Sequence, residues 1–138
     1  MVVTKKISLN TEGDGDIVDI TPQVAEEVSQ SEVDSGIVTV FVAGSTAGVT
    51  TIEFEPGLVS DLKAMWQRLV PKGIPYAHDQ RWGDNNGYSH VRASLLGASL
   101  VVPFRHKRLS LGTWQQIVLV DFDNRPRTRE VILQIMGE

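Results

Sequence analysis

The stretch "GTWQQIVLVDFDNRPRTREVILQIM", residues 112–136, decides the fold, because it holds two strand patterns joined by a short turn. Apolar and β-branched residues run through its first half, and "DNRP" supplies typical turn residues. In the second half Val131, Leu133 and Ile135 alternate with their neighbours, which places these three side chains on one face of a strand. Strands joined by links this short favour an antiparallel arrangement.

Further strand patterns extend this arrangement towards the N-terminus. "GIVTVFVA", residues 36–43, is nearly all apolar and rich in β-branched residues, so we expect a strand that is buried on both faces. "VVTKKISL" at the start of the chain alternates, and "GDGDIVDIT" reads as a turn followed by a strand. The remaining strand patterns are "VTTIEFE" and "ASLVVPF", residues 49–55 and 98–104.

Three segments carry helix signals. Over residues 21–33, Thr21 can cap the first turn and Pro22 fits the first helical position. A second helix is predicted over residues 56–71, between two prolines, and a third over residues 89–97, where a glycine ends it. The second helix has an apolar stripe at three- and four-residue steps that we assign to the core: Leu58, Leu62, Trp66 and Leu69.

Together the patterns predict one domain over residues 1–138 with six or seven strands and two or three helices. Strands that follow one another through short links, with helices between some of them, favour the α+β class with a largely antiparallel sheet. Residues 72–89 form a polar segment that we expect to be a long loop, and loops of this length are usually functional.

Composition excludes several classes of protein. With 41% hydrophobic and 22% charged residues the chain is an ordinary globular protein, and no apolar run reaches the roughly 20 residues of a membrane-spanning helix. The net charge of −4 argues against a nucleic-acid partner. The basic residues in the second half of the chain could still form a local anion-binding site. Because the chain has no cysteine, it has no disulfide or thiolate site, and a cytoplasmic location is the simplest interpretation.

Five motifs resemble the YjbQ family, whose members are described as secondary thiamine-phosphate synthases. "ASLLG" followed about a dozen residues later by "LGTWQ" makes the resemblance specific. It implies an α+β fold with a β-sandwich-like core and a homotrimer. It also implies a weak activity that joins a pyrimidine diphosphate to a thiazole phosphate. The motifs are "STAGVTTIE", "YAHD", "SHVRASLLG", "LSLGTWQQIVLVDFD" and "REVILQIMGE".

The resemblance also indicates a metal or catalytic cluster. His78 and His90 match two family histidines, and Glu53 matches a family acid, but Gly44 stands where typical members carry a third histidine. Imidazole and carboxylate suit a divalent metal, zinc above all, so His78 and His90 are the candidate metal ligands. His90 and Glu53 are the candidate catalytic residues, with Asp84 as a possible partner that orients an imidazole. Alternatively, each histidine is hydrogen-bonded in a polar loop without a metal.

A phosphorylated small molecule is the expected ligand. "AGSTAG", residues 43–48, offers backbone N–H groups and the hydroxyls of Ser45 and Thr46, a combination that can cradle phosphate oxygens or can simply form a turn. Arg92 and Arg108 could add positive charge, the latter matching a basic residue of the family. Gln115 either recognises a ligand ring or satisfies buried backbone. Two functions therefore stay open: a transferase of the YjbQ type, or a non-catalytic homotrimer that binds a metal or phosphate ligand.

Overall fold

The computed structural model describes all 138 residues and contains eight strands and four helices. The α+β class with antiparallel pairing is confirmed, whereas the expected numbers of strands and helices were too low. In chain order the elements are β1 (Val2–Thr11), β2 (Asp16–Asp19), α1 (Thr21–Gln30), β3 (Gly36–Val42), β4 (Ala47–Ile52), α2 (Pro56–Leu69), α3 (Ala77–Trp82), α4 (Gly87–Leu96), β5 (Ser99–Arg105), β6 (Arg108–Leu109), β7 (Gln116–Asp121) and β8 (Arg127–Gly137).

The strands form two antiparallel sheets. One has five strands in the order β1-β8-β3-β5-β6, and the other has three in the order β2-β7-β4. The turn that follows β7 therefore carries the chain from the small sheet into the large one, and β7 and β8 do not pair with each other. The two strands predicted within residues 112–136 are both confirmed, but they contribute to different sheets.

The core lies on both sides of the small sheet. One face of β7, with Ile117 and Leu119, packs in the same cluster as the inward residues of β3 and β8. The other face of β7 packs against α2 and α4, where Phe122 meets Trp66 edge-on with ring centroids 4.7 Å apart. β7 is therefore buried on both faces, which explains its nearly continuous apolar sequence. Among the inward residues of β8, Val131, Leu133 and Ile135 are all fully buried, as their alternation predicts.

Three local predictions were wrong. β3 is buried on one face only, because Ile37 and Phe41 point away from the core and are 40% and 42% exposed. Thr21 is the first helical residue of α1 and not its cap, and its hydroxyl accepts a hydrogen bond from the backbone N–H of Ile117 at 2.8 Å. In α2, Trp66 is buried but Leu69 is exposed, so the core stripe ends one turn earlier than predicted.

The polar segment 72–89 is only partly a loop. It contains the short helix α3 and the first turn of α4, with Gly83 ending α3 in the left-handed conformation at φ 65°. The third predicted helix is confirmed as α4, and Gly97 follows its last residue. No helix combines the length and the apolar composition that a membrane crossing requires.

Candidate functional site

The two helices α3 and α4 bring His78 and His90 together. Their imidazole rings lie with centroids 4.3 Å apart and planes tilted by 39°. This approach depends on Gly87 at the start of α4, because a Cβ there would lie 2.7 Å from the Cβ of Tyr76 just before α3. A glycine therefore allows the two short helices to pack closely enough for the imidazoles to meet.

Two carboxylates surround His78. Its Nδ1 lies 3.7 Å from Asp79 Oδ1 and 3.6 Å from Asp84 Oδ1, and the ligand atoms of the three residues all lie within 4.8 Å of one another. Backbone N–H groups fix the two carboxylates. Asp79 Oδ1 accepts a hydrogen bond from the N–H of Gly87 at 2.8 Å, and Asp84 Oδ1 accepts one from the N–H of Asn86 at 3.2 Å. Yet His78 Nδ1 is buried and has no hydrogen-bond partner.

His90 is biased towards its neutral form. Burial lowers its pKa below the ordinary value of 6.5, and the neighbouring His78 lowers it further, against smaller upward effects of Asp84, Asp123 and Asp79. Only a neutral imidazole has a free nitrogen lone pair. At neutral pH His90 can therefore accept a proton or coordinate a metal ion.

The residues at this cluster fit a divalent metal ion. Burying a polar atom without a partner is costly, and the unpaired Nδ1 of His78 is such an atom, with two carboxylates beside it. Imidazole nitrogen and carboxylate oxygen are the donors that zinc accepts in catalytic sites, where three protein ligands leave a position open. His78, Asp79 and Asp84 supply three donors, and the His90 ring lies next to them.

A buried polar network connects this cluster to the strands. Burial alone would raise the pKa of Asp123, but hydrogen bonds from Arg127, Thr46 and Asn86 hold it below its usual range. Asn86 stands immediately before α4, and its amide donates to Asp123 Oδ2 at 3.2 Å. Thr46 Oγ1 donates to the same oxygen at 2.9 Å. Asp123 thus fixes both the start of α4 and the turn before β4 to the end of β7.

Arg129 is the second centre of this network. Its Nε and Nη2 donate to the two carboxylate oxygens of Asp121 at 2.7 and 2.8 Å, and Nη2 also donates to Thr46 Oγ1 at 2.6 Å. Asp121 is fully buried and accepts a further hydrogen bond from Thr11 Oγ1 at 2.5 Å. This arrangement fixes the arginine at the point where the chain crosses between the sheets, directly behind Gly44.

Of the predicted ligand-binding residues, only Ser45 shares a cavity with an imidazole. It lines an open groove of about 260 Å³ together with Gly44, His90 and the C-terminal part of α4. Thr46 is buried in the polar network and does not line this groove. Arg92 is buried on another face of α4, where Nε donates to the carbonyl of Val70 at 3.0 Å.

The remaining predicted site residues lie elsewhere in the chain. Glu53 follows the last residue of β4, at the opposite end of that strand from Ser45, and it is not among the residues grouped with the imidazoles in this chain. Gln115 donates to Thr51 Oγ1 at 3.0 Å near the same end of the strand. Arg108 is exposed on β6, in a shallow pocket beside α1.

Comparison with known proteins gives the chain its family. A family model described as "UPF0047 protein YjbQ-like" matches residues 5–138, which is nearly the whole chain. The chain belongs to the YjbQ family. This confirms the resemblance on which the sequence interpretation rests. The match covers both sheets and the histidine cluster, so it is not confined to one motif.

Relatives in the YjbQ family are similar over most of their length. A UPF0047 protein of Archaeoglobus fulgidus is 39% identical, with 95% of this chain and 99% of the relative covered. YjbQ of Salmonella typhimurium is 31% identical, with 86% of this chain and 87% of YjbQ covered. The crystal structure of a YbjQ-like protein of unknown function from Sulfolobus solfataricus has a TM-score of 0.93 at 35% identity, over 100% of this chain and 99% of that one. These similarities support the fold throughout.

Sequence reasoning missed three residues of this candidate site. Asp79 directly follows His78 at the start of a helix, whereas the polar composition of residues 72–89 predicts a loop. Asp123 was assigned to a turn, which it does begin, but its carboxylate is buried. Arg129 could have been found from the sequence: it has the same parity as Val131 and Leu133 in β8, so the alternation places it on the inward face.

Proposed function

We propose that this YjbQ-family protein binds a divalent metal ion, zinc in the first place, beside a phosphorylated small molecule. The observation that carries the proposal is the buried, unpaired Nδ1 of His78 between the carboxylates of Asp79 and Asp84. His90 adds a second imidazole to the cluster and also faces the groove that holds Ser45. The metal and the ligand would therefore meet at His90.

The reaction we propose is the transfer that the resemblance to the family implies, in which a pyrimidine diphosphate is joined to a thiazole phosphate with loss of diphosphate. Negative charge develops on the departing diphosphate, and a bound divalent cation would stabilise that charge as a Lewis acid. The chain's own contribution is to hold one phosphate group against Ser45 and to keep His90 neutral, so that it can exchange a proton with the bound substrate.

Calorimetric titration of the purified, metal-free protein with zinc tests the metal site. We expect one equivalent to bind, and we expect His78→Ala and Asp84→Asn to weaken binding by about tenfold or more, because each removes a ligand or its support. His106→Ala is the matched control, since its side chain is 72% exposed and pairs only with Asp34. Equal zinc affinity in His78→Ala and His106→Ala would contradict the proposal.

A non-catalytic metal- or phosphate-binding protein is the second candidate. It is favoured by the position of Glu53 and Gln115, which lie at the other end of β4 and leave the imidazole pair without the predicted catalytic acid. Incubation with the two phosphorylated substrates and zinc distinguishes the candidates. Formation of thiamine phosphate that is abolished by His90→Ala supports the transferase, whereas intact zinc binding without product supports the binding protein.

We also propose the homotrimer that the resemblance implies. Its support in this chain is an uncovered apolar surface on the outer face of the five-stranded sheet, where Ile37, Phe41, Val101 and Met136 are each at least 40% exposed. In a trimer, Glu53 could act on the imidazole pair of a neighbouring copy. Light scattering should give three times the 15.2 kDa chain mass, and Phe41→Asp should dissociate the assembly; a monomeric wild-type protein would refute this part.

A further inference from the structure

Arg129 has one nitrogen that the chain does not use. Its side chain is only 9% exposed, and Nε and Nη2 are both engaged by Asp121, with Nη2 also donating to Thr46. Nη1 makes no hydrogen bond within the chain. The side chain as a whole is nearly buried, but Nη1 is not one of the chain's buried unpaired atoms, so water or a ligand can reach its donors.

Nη1 lies directly behind Gly44. A Cβ built on Gly44 would lie only 2.7 Å from Nη1, so any side chain at this position would press against the nitrogen. Gly44 is itself exposed and lines the groove that also holds Ser45 and His90. The backbone of Gly44 is not in the left-handed region, so no conformational reason requires glycine here. The absence of a side chain instead leaves Nη1 uncovered beside Gly44, next to the groove, although Arg129 is not one of the residues that line it.

We propose that Arg129 Nη1 and the Ser45 hydroxyl bind one phosphate group of the ligand, and that Gly44 determines this specificity by leaving Nη1 accessible. This inference rests on the proposed function for the class of ligand but does not depend on the metal ion. The two hydrogen bonds that Arg129 donates to Asp121 fix the guanidinium in advance, so little conformational entropy is lost when an anion binds. Hydrogen bonds from a charged donor to phosphate are among the strong ones.

The groove beside Gly44 is small and open. Its volume of about 260 Å³ lies below the range that drug-sized ligands occupy, and small residues of α4 such as Ala93 and Ser94 form one wall. Asp121 neutralises much of the charge of Arg129. The contact therefore recognises an anion by the direction of the Nη1 hydrogen bonds more than by long-range electrostatic attraction. A small phosphate monoester group is therefore the chemistry that we propose for this contact.

Titration with inorganic phosphate, followed by the ¹H–¹⁵N signals of the arginine side chains, tests the inference. We expect the Arg129 signal to shift in the wild type, and Gly44→Ala to weaken phosphate binding by about tenfold or more because the new Cβ covers Nη1. Gly112→Ala is the matched control, since a Cβ there meets its first neighbour, Gln115, only at 3.6 Å. Circular dichroism and urea unfolding confirm that the variants are folded.

A second variant covers the case in which Gly44→Ala does not fold. Ser45→Ala removes an exposed hydroxyl without adding volume, and we expect it to weaken phosphate binding by at least a few-fold. Each titration is run with and without zinc. Loss of phosphate binding in Gly44→Ala with intact zinc binding supports the inference, and zinc binding that fails while the phosphate effect persists refutes only the metal site. Wild-type phosphate affinity in both variants, or no shift of Arg129, overturns the inference.

Discussion

Replacement of Arg129 by methionine should strongly destabilise the protein. Arg129 makes two hydrogen bonds to Asp121, at 2.7 and 2.8 Å, and Asp121 is completely buried. Methionine preserves much of the side-chain volume but leaves the carboxylate with only neutral donors, namely the hydroxyl of Thr11 and the backbone N–H of Asp123. Removing one partner of a buried ion pair typically costs about 3–5 kcal/mol. This is a large part of the total stability of a domain, about 5–15 kcal/mol.

Equilibrium unfolding in urea measures this loss, and Arg125→Met is the matched control. Arg125 lies four residues away in the turn before β8 and is exposed, so its replacement should change the free energy of unfolding by no more than about 0.5 kcal/mol. Adding Asp121→Asn to Arg129→Met should recover part of the loss, because the uncompensated buried charge is removed. If Arg129→Met and Arg125→Met had the same stability, the account of the buried network would be refuted.

Two further predictions concern the core and the pH dependence. Trp66→Ala should cost about 3–5 kcal/mol, whereas Leu69→Ala, one turn later but 62% exposed, should cost less than about 0.5 kcal/mol; similar urea midpoints would contradict this burial. Burial, together with His78, lowers the pKa of His90 in the folded protein. As the pH falls, this imidazole is therefore protonated in the unfolded chain before it is protonated in the folded one. The free energy of unfolding should therefore stay constant above pH 6.5 and decline below it. The free energy of unfolding of His90→Gln should decline less across the same range. An equal decline would exclude His90 as the cause.

The sequence predicted the strands well because alternation depends only on local geometry. Val131, Leu133 and Ile135 are buried as expected, and the turn before β8 is where its residues place it. It could not predict the two sheets, since a short turn is equally suitable for pairing two strands and for crossing between sheets. β7 lies in a separate sheet from β8 because β7 is buried on both faces. That burial depends on contacts with α2 and α4, which no local sequence pattern encodes.

The candidate site was predicted in part for equally physical reasons. His78 and His90 meet because α3 and α4 pack together, a contact between helices that lie close in the sequence. The sequence is enough to separate Arg92 from the imidazole site, since residues two apart on a helix lie on different faces and Arg92 follows His90 by two in α4. The distance between Glu53 and the imidazoles could not be predicted, because it depends on how β4 is placed in the small sheet.

The most direct test of the metal-site proposal is a zinc titration followed in the long-range ¹H–¹⁵N spectrum of the three imidazoles. His106 lies on the exposed turn between β5 and β6 and serves as an internal control. We expect the ring-nitrogen signals of His78 and His90 to change together and saturate at one equivalent of zinc, with Nδ1 of His78 affected most, while His106 stays unchanged. Unchanged signals of His78 and His90 at saturating zinc, or a response at His106 alone, would contradict the account.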